Sequence, residues 1–176
     1  AYAYLTTVDN EEWLLVDPYA KAISTTPTYN PPYTAAQSWD LCYALVCEDN
    51  FDWQQTQQPK IPLAETVLLE THIKGFSQKN TALNAFQCGS YQALSAPENI
   101  KKFMQQGITS IQLLPIAARV SEPHLLEQNS QNYWGYNPLV FMAPDPRFAV
   151  DDAVTELKTT IRELHKHNIE VILDVV

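Results

Sequence analysis

Four glycines stand among 176 residues, where average usage of about 7% would supply roughly twelve. A dinucleotide-binding fold needs a G-x-G-x-x-G turn after a strand, and a P-loop needs its own glycine-rich cradle. Four scattered glycines supply neither. Basic residues are also few: eleven Lys and Arg against twenty Asp and Glu leave a net charge of −9. A phosphate backbone is held by clustered Lys and Arg, so nucleic acid is excluded as the expected partner. No run reaches about 18 apolar residues, so no membrane span is expected. Residues 1–13 carry Asp9, Glu11 and Glu12 without a basic segment, so they do not read as a signal peptide, and a cytoplasmic setting is expected. Cys42, Cys47 and Cys88 are odd in number with no CxxC spacing, which suggests free buried thiols. His165 and His167 lie two apart, whereas a metal-binding helix face needs i and i+4. No metal and no cofactor is expected.

What is present is a foldable chain: 45% hydrophobic and 18% charged residues exclude a disordered tail. Taken by itself, the length suggests one domain. The N-terminal third is proline-rich and lacks a helical period. Tyr2 and Tyr4 alternate as in a strand, and the apolar run at residues 13–16 is stopped by Asp17-Pro18. Residues 24–38 read as a surface connector, 39–47 as another short strand, and 48–60 as a polar segment.

After Pro62 the pattern changes. Strands are expected at 66–74, ending at Gly75, at 109–116 and at 170–176. Ser95-Ala96-Pro97-Glu98 predicts a capping box that opens a helix with Ile100, Phe103 and Met104 on one face, closed by Gly107. Val154, Leu157, Ile161 and Leu164 predict a second helix, with Asp151 and Asp152 at its start. Strand, helix, strand, helix, strand predicts an α/β fold with a parallel sheet, doubly wound or a (β/α) barrel. Alternation sets Glu70, His72, Gln112 and Asp174 on the polar faces of these strands, toward their carboxyl ends, where barrel enzymes keep their chemistry.

A 34-residue loop, 117–150, intervenes before the second helix. Most loops of that length are functional or disordered. Its centre, Asn132-Tyr133-Trp134-Gly135-Tyr136-Asn137-Pro138, offers rigid rings on which the apolar face of a pyranose can stack.

NYWGYNPLVFMAP at 132–144, LLETHIKGF at 68–76, TSIQLLPI at 109–116 and EVILDVV at 170–176 together resemble the α-amylase superfamily of glycoside hydrolases. Within it, the likeness is to the bacterial glycogen debranching enzymes and isoamylases. The resemblance implies the first three strands of a (β/α)8 TIM barrel at 65–176, a linker at 26–64, and the end of an N-terminal carbohydrate-binding β-sandwich at 1–25. It implies α-1,6 hydrolysis on glycogen or limit dextrin by a retaining mechanism, with two carboxylates about 5–5.5 Å apart. Those carboxylates follow later strands of the family's barrel, so no catalytic residue is expected in this chain. Residues 66–176 hold three strands, and eight at that spacing need about 300, within the range of barrels. The chain is therefore expected to be an inactive N-terminal portion.

The resemblance also implies that Tyr136 stacks on the sugar at the cleavage subsite, that Asp174 organises that subsite, and that Trp134, Asn137 and His72 are further substrate-binding residues. The expected partner is an α-glucan. Unpaired barrel edges, at the first and third strands, are expected to invite self-association. A branching or transglycosylating relative, or a non-catalytic amylase-like scaffold, are the alternatives.

Overall fold

The structure, a computed structural model, describes residues 1–27, 33–34 and 42–176. These divide into two compact units, one of residues 1–48, 117–146 and 176, the other of 49–116 and 147–175.

In the first unit, β1 (Tyr4–Val8) and β2 (Glu11–Leu15) form an antiparallel hairpin, and β3 (Tyr33–Thr34) pairs with β2. Asp9 and Asn10 make the turn at φ +52° and +64°, the left-handed pair that a two-residue hairpin with right-handed strand twist requires. The strand expected at Tyr2 and Tyr4 is displaced: Tyr2 makes only an isolated bridge to Ala44, and β1 begins at Tyr4. Of the strand expected at 39–47, residues 39–41 lie outside the described residues, and Ala44 bridges both Tyr2 and Ile23. Asp17 stops β2 and accepts hydrogen bonds from the Tyr2 hydroxyl at 2.6 Å and the Tyr19 N–H at 2.9 Å. These bonds, Tyr2 first, hold its carboxyl below the usual range, and the same contact pushes Tyr2 up to about 12.

The supposed loop at 117–150 is largely regular structure. It contains β6 (Ala117–Arg119), a short helix at Pro123–Glu127 and β7 (Pro138–Pro144), with β6 and β7 antiparallel in an irregular register. Ala118, Val140 and Ala143 are buried with Ala20, Ile23, Cys42 and Ala44. Small side chains here let the segments approach closely. The three thiols are free; Cys42 is buried, which pushes it up to about 11, whereas Cys47 is exposed.

The second unit is built on a parallel sheet of β4 (Leu68–Thr71), β5 (Ser110–Leu113) and β8 (Glu170–Leu173), in the order β4-β5-β8. Each strand is shorter than expected. The first ends at Thr71 because His72 caps a helix, α1 (Ile73–Ser77), its Nδ1 accepting from the Gly75 N–H at 3.1 Å. Gly75 therefore lies inside a helical turn, and His72 leaves the strand face it was expected to share with Glu70.

A short helix, α2 (Tyr91–Leu94), leads into α3 (Pro97–Gln105), with proline at its first turn as expected. The capping box is not formed. Ala96 is the N-cap, and Ser95 Oγ instead donates back to the Gln92 carbonyl at 3.3 Å. Ile100 and Phe103 are buried, but Met104 is 57% exposed, off the packed face. Gly107, at φ +71°, ends α3, and the Ile108 N–H reaches back to the Phe103 carbonyl at 2.9 Å. With the Pro123–Glu127 helix as α4, the later helix, α5 (Ala153–Lys166), is capped by Asp152, which accepts from the Thr155 N–H at 2.7 Å. It ends by the same device with Asn168 at φ +57° and the Ile169 N–H on the Leu164 carbonyl at 3.0 Å. Both helices thus turn directly into a strand.

The face of the sheet formed by Ile111, Leu113, Leu69 and Val171 packs with Phe103, Phe148 and Leu164. The polar segment at 48–60 is fastened along α5: Lys158 Nζ meets Asp49 Oδ1 at 2.7 Å, Arg162 Nη1 the Asp52 carbonyl at 2.8 Å, and Lys166 Nζ Gln54 Oε1 at 2.8 Å. Cations at i, i+4 and i+8 share one helix face, so a chain running along it meets each in turn.

Candidate carbohydrate-binding site

The aromatic segment at 132–138 lies between α4 and β7, and its shape follows from one buried charge pair. Arg119 Nη1 donates to Asp145 Oδ2 at 2.9 Å, with the side chains 6% and 0% exposed. The remaining guanidinium donors reach the segment itself: Nε donates to the Asn132 carbonyl at 3.0 Å and Nη2 to that of Tyr133 at 3.5 Å. A planar guanidinium with five donors can serve a carboxylate and two carbonyls at once.

Asn132 continues the scaffold. Its backbone N–H donates to Ser121 Oγ at 2.9 Å, and its Nδ2 to both Glu122 carboxylate oxygens at 2.9 and 3.1 Å. Its Oδ1 accepts from the Gly135 N–H at 2.8 Å, closing a turn around Tyr133 and Trp134. Gly135 is buried at φ +93°, a conformation that side chains rarely adopt. The Asn137 carbonyl accepts from the Val120 N–H at 3.1 Å, tying the segment's end to the end of β6.

The rings face outward from this frame. Trp134, Tyr136 and Tyr133 are 57%, 49% and 42% exposed, and Tyr133 packs edge to face on Trp134 with centroids 5.1 Å apart. Aromatic surface held open by a hydrogen-bonded backbone can take a flat apolar ligand face. Arg119, Asn132, Glu122 and Asp145 were not singled out in the sequence. The signals were there, in a lone arginine inside an apolar strand and an aspartate between two prolines.

Trp134, Tyr136 and Asn137 belong to the first unit, His72 and Asp174 to the second. In the second unit His72 directly follows β4 and Asp174 directly follows β8, so both stand at the carboxyl edge of the sheet. Ladder bonds extend to that edge: the Leu114 N–H donates to the Thr71 carbonyl at 3.0 Å, and the Asp174 N–H to that of Leu113 at 2.9 Å. His72 is buried, its ring perpendicular to Phe148 at 5.4 Å. An accepting Nδ1 leaves the neutral ring's proton on Nε2. Glu70 and Gln112 are register partners joined at 3.1 Å from Gln112 Nε2 to Glu70 Oε1. The same face holds Ser110 Oγ donating to Glu170 Oε2 at 2.8 Å, a contact the sequence reading missed.

Among the described residues no group of three or more His, Cys, Asp or Glu could hold a metal ion. Nor, among them, is any helix long and apolar enough to cross a membrane.

No protein-family model matches the chain. Curated relatives do. The glycogen operon protein GlgX homolog of Haemophilus influenzae is 39% identical over 179 residues, covering 95% of this chain and 27% of that protein. The glycogen debranching enzyme of Erwinia tasmaniensis is 39% identical over 176 residues, with the same coverage of 95% and 27%. Among solved structures, the catalytic module of the glycogen-degrading pneumococcal virulence factor SpuA aligns over 99% of this chain and 27% of that one, with a TM-score of 0.77 at 23% identity. At that identity the likeness shows the fold alone. Pullulanase SAP of Group B Streptococcus aligns over 99% of this chain and 24% of that one, with a TM-score of 0.75 at 26% identity, and has also been solved with maltotetraose. Over 95% of its length the chain is similar to these glycogen debranching proteins, and it spans about a quarter, 27%, of the length of the curated relatives it matches.

Proposed function

We propose that the protein to which these residues belong is an α-1,6-glucosidase that removes branches from glycogen or limit dextrin in the cytoplasm, and that this chain supplies part of its glucan-binding surface. The observation that carries the reading is the exposed Tyr133-Trp134-Gly135-Tyr136 segment, braced from beneath by the buried Arg119–Asp145 pair. In this reading Tyr136 stacks on the sugar at the cleavage subsite, Trp134 on a neighbouring glucose, and Asn137 takes a hydroxyl. Asp174, at the carboxyl edge of the parallel sheet, organises a sugar subsite in the second unit, and His72 is a further substrate-binding residue there. Residues 1–25 close a carbohydrate-binding sandwich, 26–64 link, and 65–176 open a (β/α)8 barrel. The retaining pair of carboxylates lies outside these residues, so they hydrolyse nothing by themselves. Strands β4 and β8, as edges of the described sheet, would draw isolated copies into oligomers.

The test uses the full-length protein on limit dextrin. Release of short linear glucans is expected, with Tyr136→Ala lowering kcat/KM about tenfold, the equivalent of about 1.4 kcal/mol. Transfer of the cleaved branch to another glucan would favour a branching relative. Glucan binding without turnover would favour a scaffold. Hydrolysis by residues 1–176 alone would overturn the division of labour.

A further inference from the structure

We infer that Phe86 forms a further stacking subsite for a glucose unit of the α-glucan, on the loop between α1 and α2. The inference rests on the debranching reading above.

Phe86 is 81% exposed, far more than a ring that contributes to a core. It sits in residues 78–90, between α1 and α2, and this stretch is stitched together rather than loose. Asn80 Oδ1 accepts from the Ala82 N–H at 3.0 Å, and Asn84 Oδ1 from the Gln87 N–H at 3.0 Å. The Gly89 N–H donates to the buried Ser77 Oγ at 2.8 Å, fastening the loop back to the end of α1. Gly89 is at φ +76°, and a Cβ there would fall 3.2 Å from Lys74 Cγ, so the backbone passes close against α1.

The loop is also anchored at the functional end of the sheet. Phe148 packs perpendicular to His72, the residue after β4, at 5.4 Å, and perpendicular to Tyr91, where the loop ends, at 5.9 Å. In α/β sheets ligands bind beyond the carboxyl ends of the strands, on loops held by a rigid frame. A solvated phenyl ring on a hydrogen-bonded loop that leads into Tyr91, with Asn84 exposed two residues earlier, suits the apolar face of a pyranose.

The experiment measures maltohexaose binding calorimetrically to the full-length protein and to its Phe86→Ala, Phe86→Trp and Tyr136→Ala variants, alongside thermal melting. Phe86→Ala is expected to weaken binding about fivefold, the scale of one ring-stacking contact. Its melting temperature should stay at the wild-type value, and Phe86→Trp should retain the affinity. Unchanged affinity in Phe86→Ala, with Tyr136→Ala weakened, would overturn this subsite and leave the debranching reading standing. A melting temperature lowered by several degrees would overturn it too, since the ring would then be packing material. Wild-type protein that binds no maltohexaose would remove both.

Discussion

Arg119 and Asp145 meet at 2.9 Å with almost no solvent access, 26 residues apart in sequence. Breaking such a pair from one side leaves a buried charge without its partner, at a cost of about 3–5 kcal/mol. Asp145→Ala should show that loss in urea unfolding, and should also weaken maltohexaose binding because Arg119 carries the aromatic segment. A loss under about 1 kcal/mol would mean that solvent reaches the guanidinium.

Asn132 separates binding from stability more finely. Asn132→Asp keeps the acceptor for the Gly135 N–H but sets a second carboxylate where Nδ2 now donates to Glu122 at 2.9 and 3.1 Å. Two carboxylates sharing a site raise one another's tendency to hold a proton. The variant should therefore melt lower than wild type at neutral pH and recover part of the difference near pH 5. A deficit constant over that range would count against the contact.

The two helix ends offer a matched comparison. Gly107 is at φ +71° with nothing within 4 Å of an added Cβ, so Gly107→Ala tests backbone strain alone. The expected cost is about 1–2 kcal/mol. Gly107→Asn, copying Asn168 at φ +57° at the end of α5, should cost less. Equal losses in calorimetric melting would contradict this.

His165, in the last turn of α5, is held below its usual range, chiefly by burial of its ring. The unfolded chain then binds more protons than the folded one as pH falls through about 6.5. The stability this histidine contributes is present above that value and is lost as pH falls through the lower folded value. His165→Gln should flatten the melting temperature between pH 7 and pH 5 relative to wild type. A wild-type curve that rises on acidification would carry the wrong sign.

Much of the second unit was legible because local chemistry and tertiary packing agree there. Asp152 caps α5, Gly107 stops α3, and the apolar steps from Val154 to Leu164 follow the helix. The legible part of the candidate site was its aromatics, since rings around a glycine are conspicuous. Its frame was not: Asn132 spends each of its polar groups on a partner distant by three to thirteen residues. The end of the first strand at Thr71 was not legible for a related reason. Alternation alone continued the strand through it, while a His72 ring nitrogen accepting from Gly75 turned the chain into a helix.

By itself, then, the sequence determined the order of the three parallel strands and of the two longer helices, the likeness to debranching enzymes and the aromatic segment, because periodicity and motif are local properties. Only the tertiary structure decided where each strand stops and that residues 117–144 fold as paired strands around an excursion. It alone decided that a buried Arg119–Asp145 pair holds the rings open to solvent. Those outcomes depend on hydrogen bonds and charges between residues remote in sequence, whose partners no local pattern names.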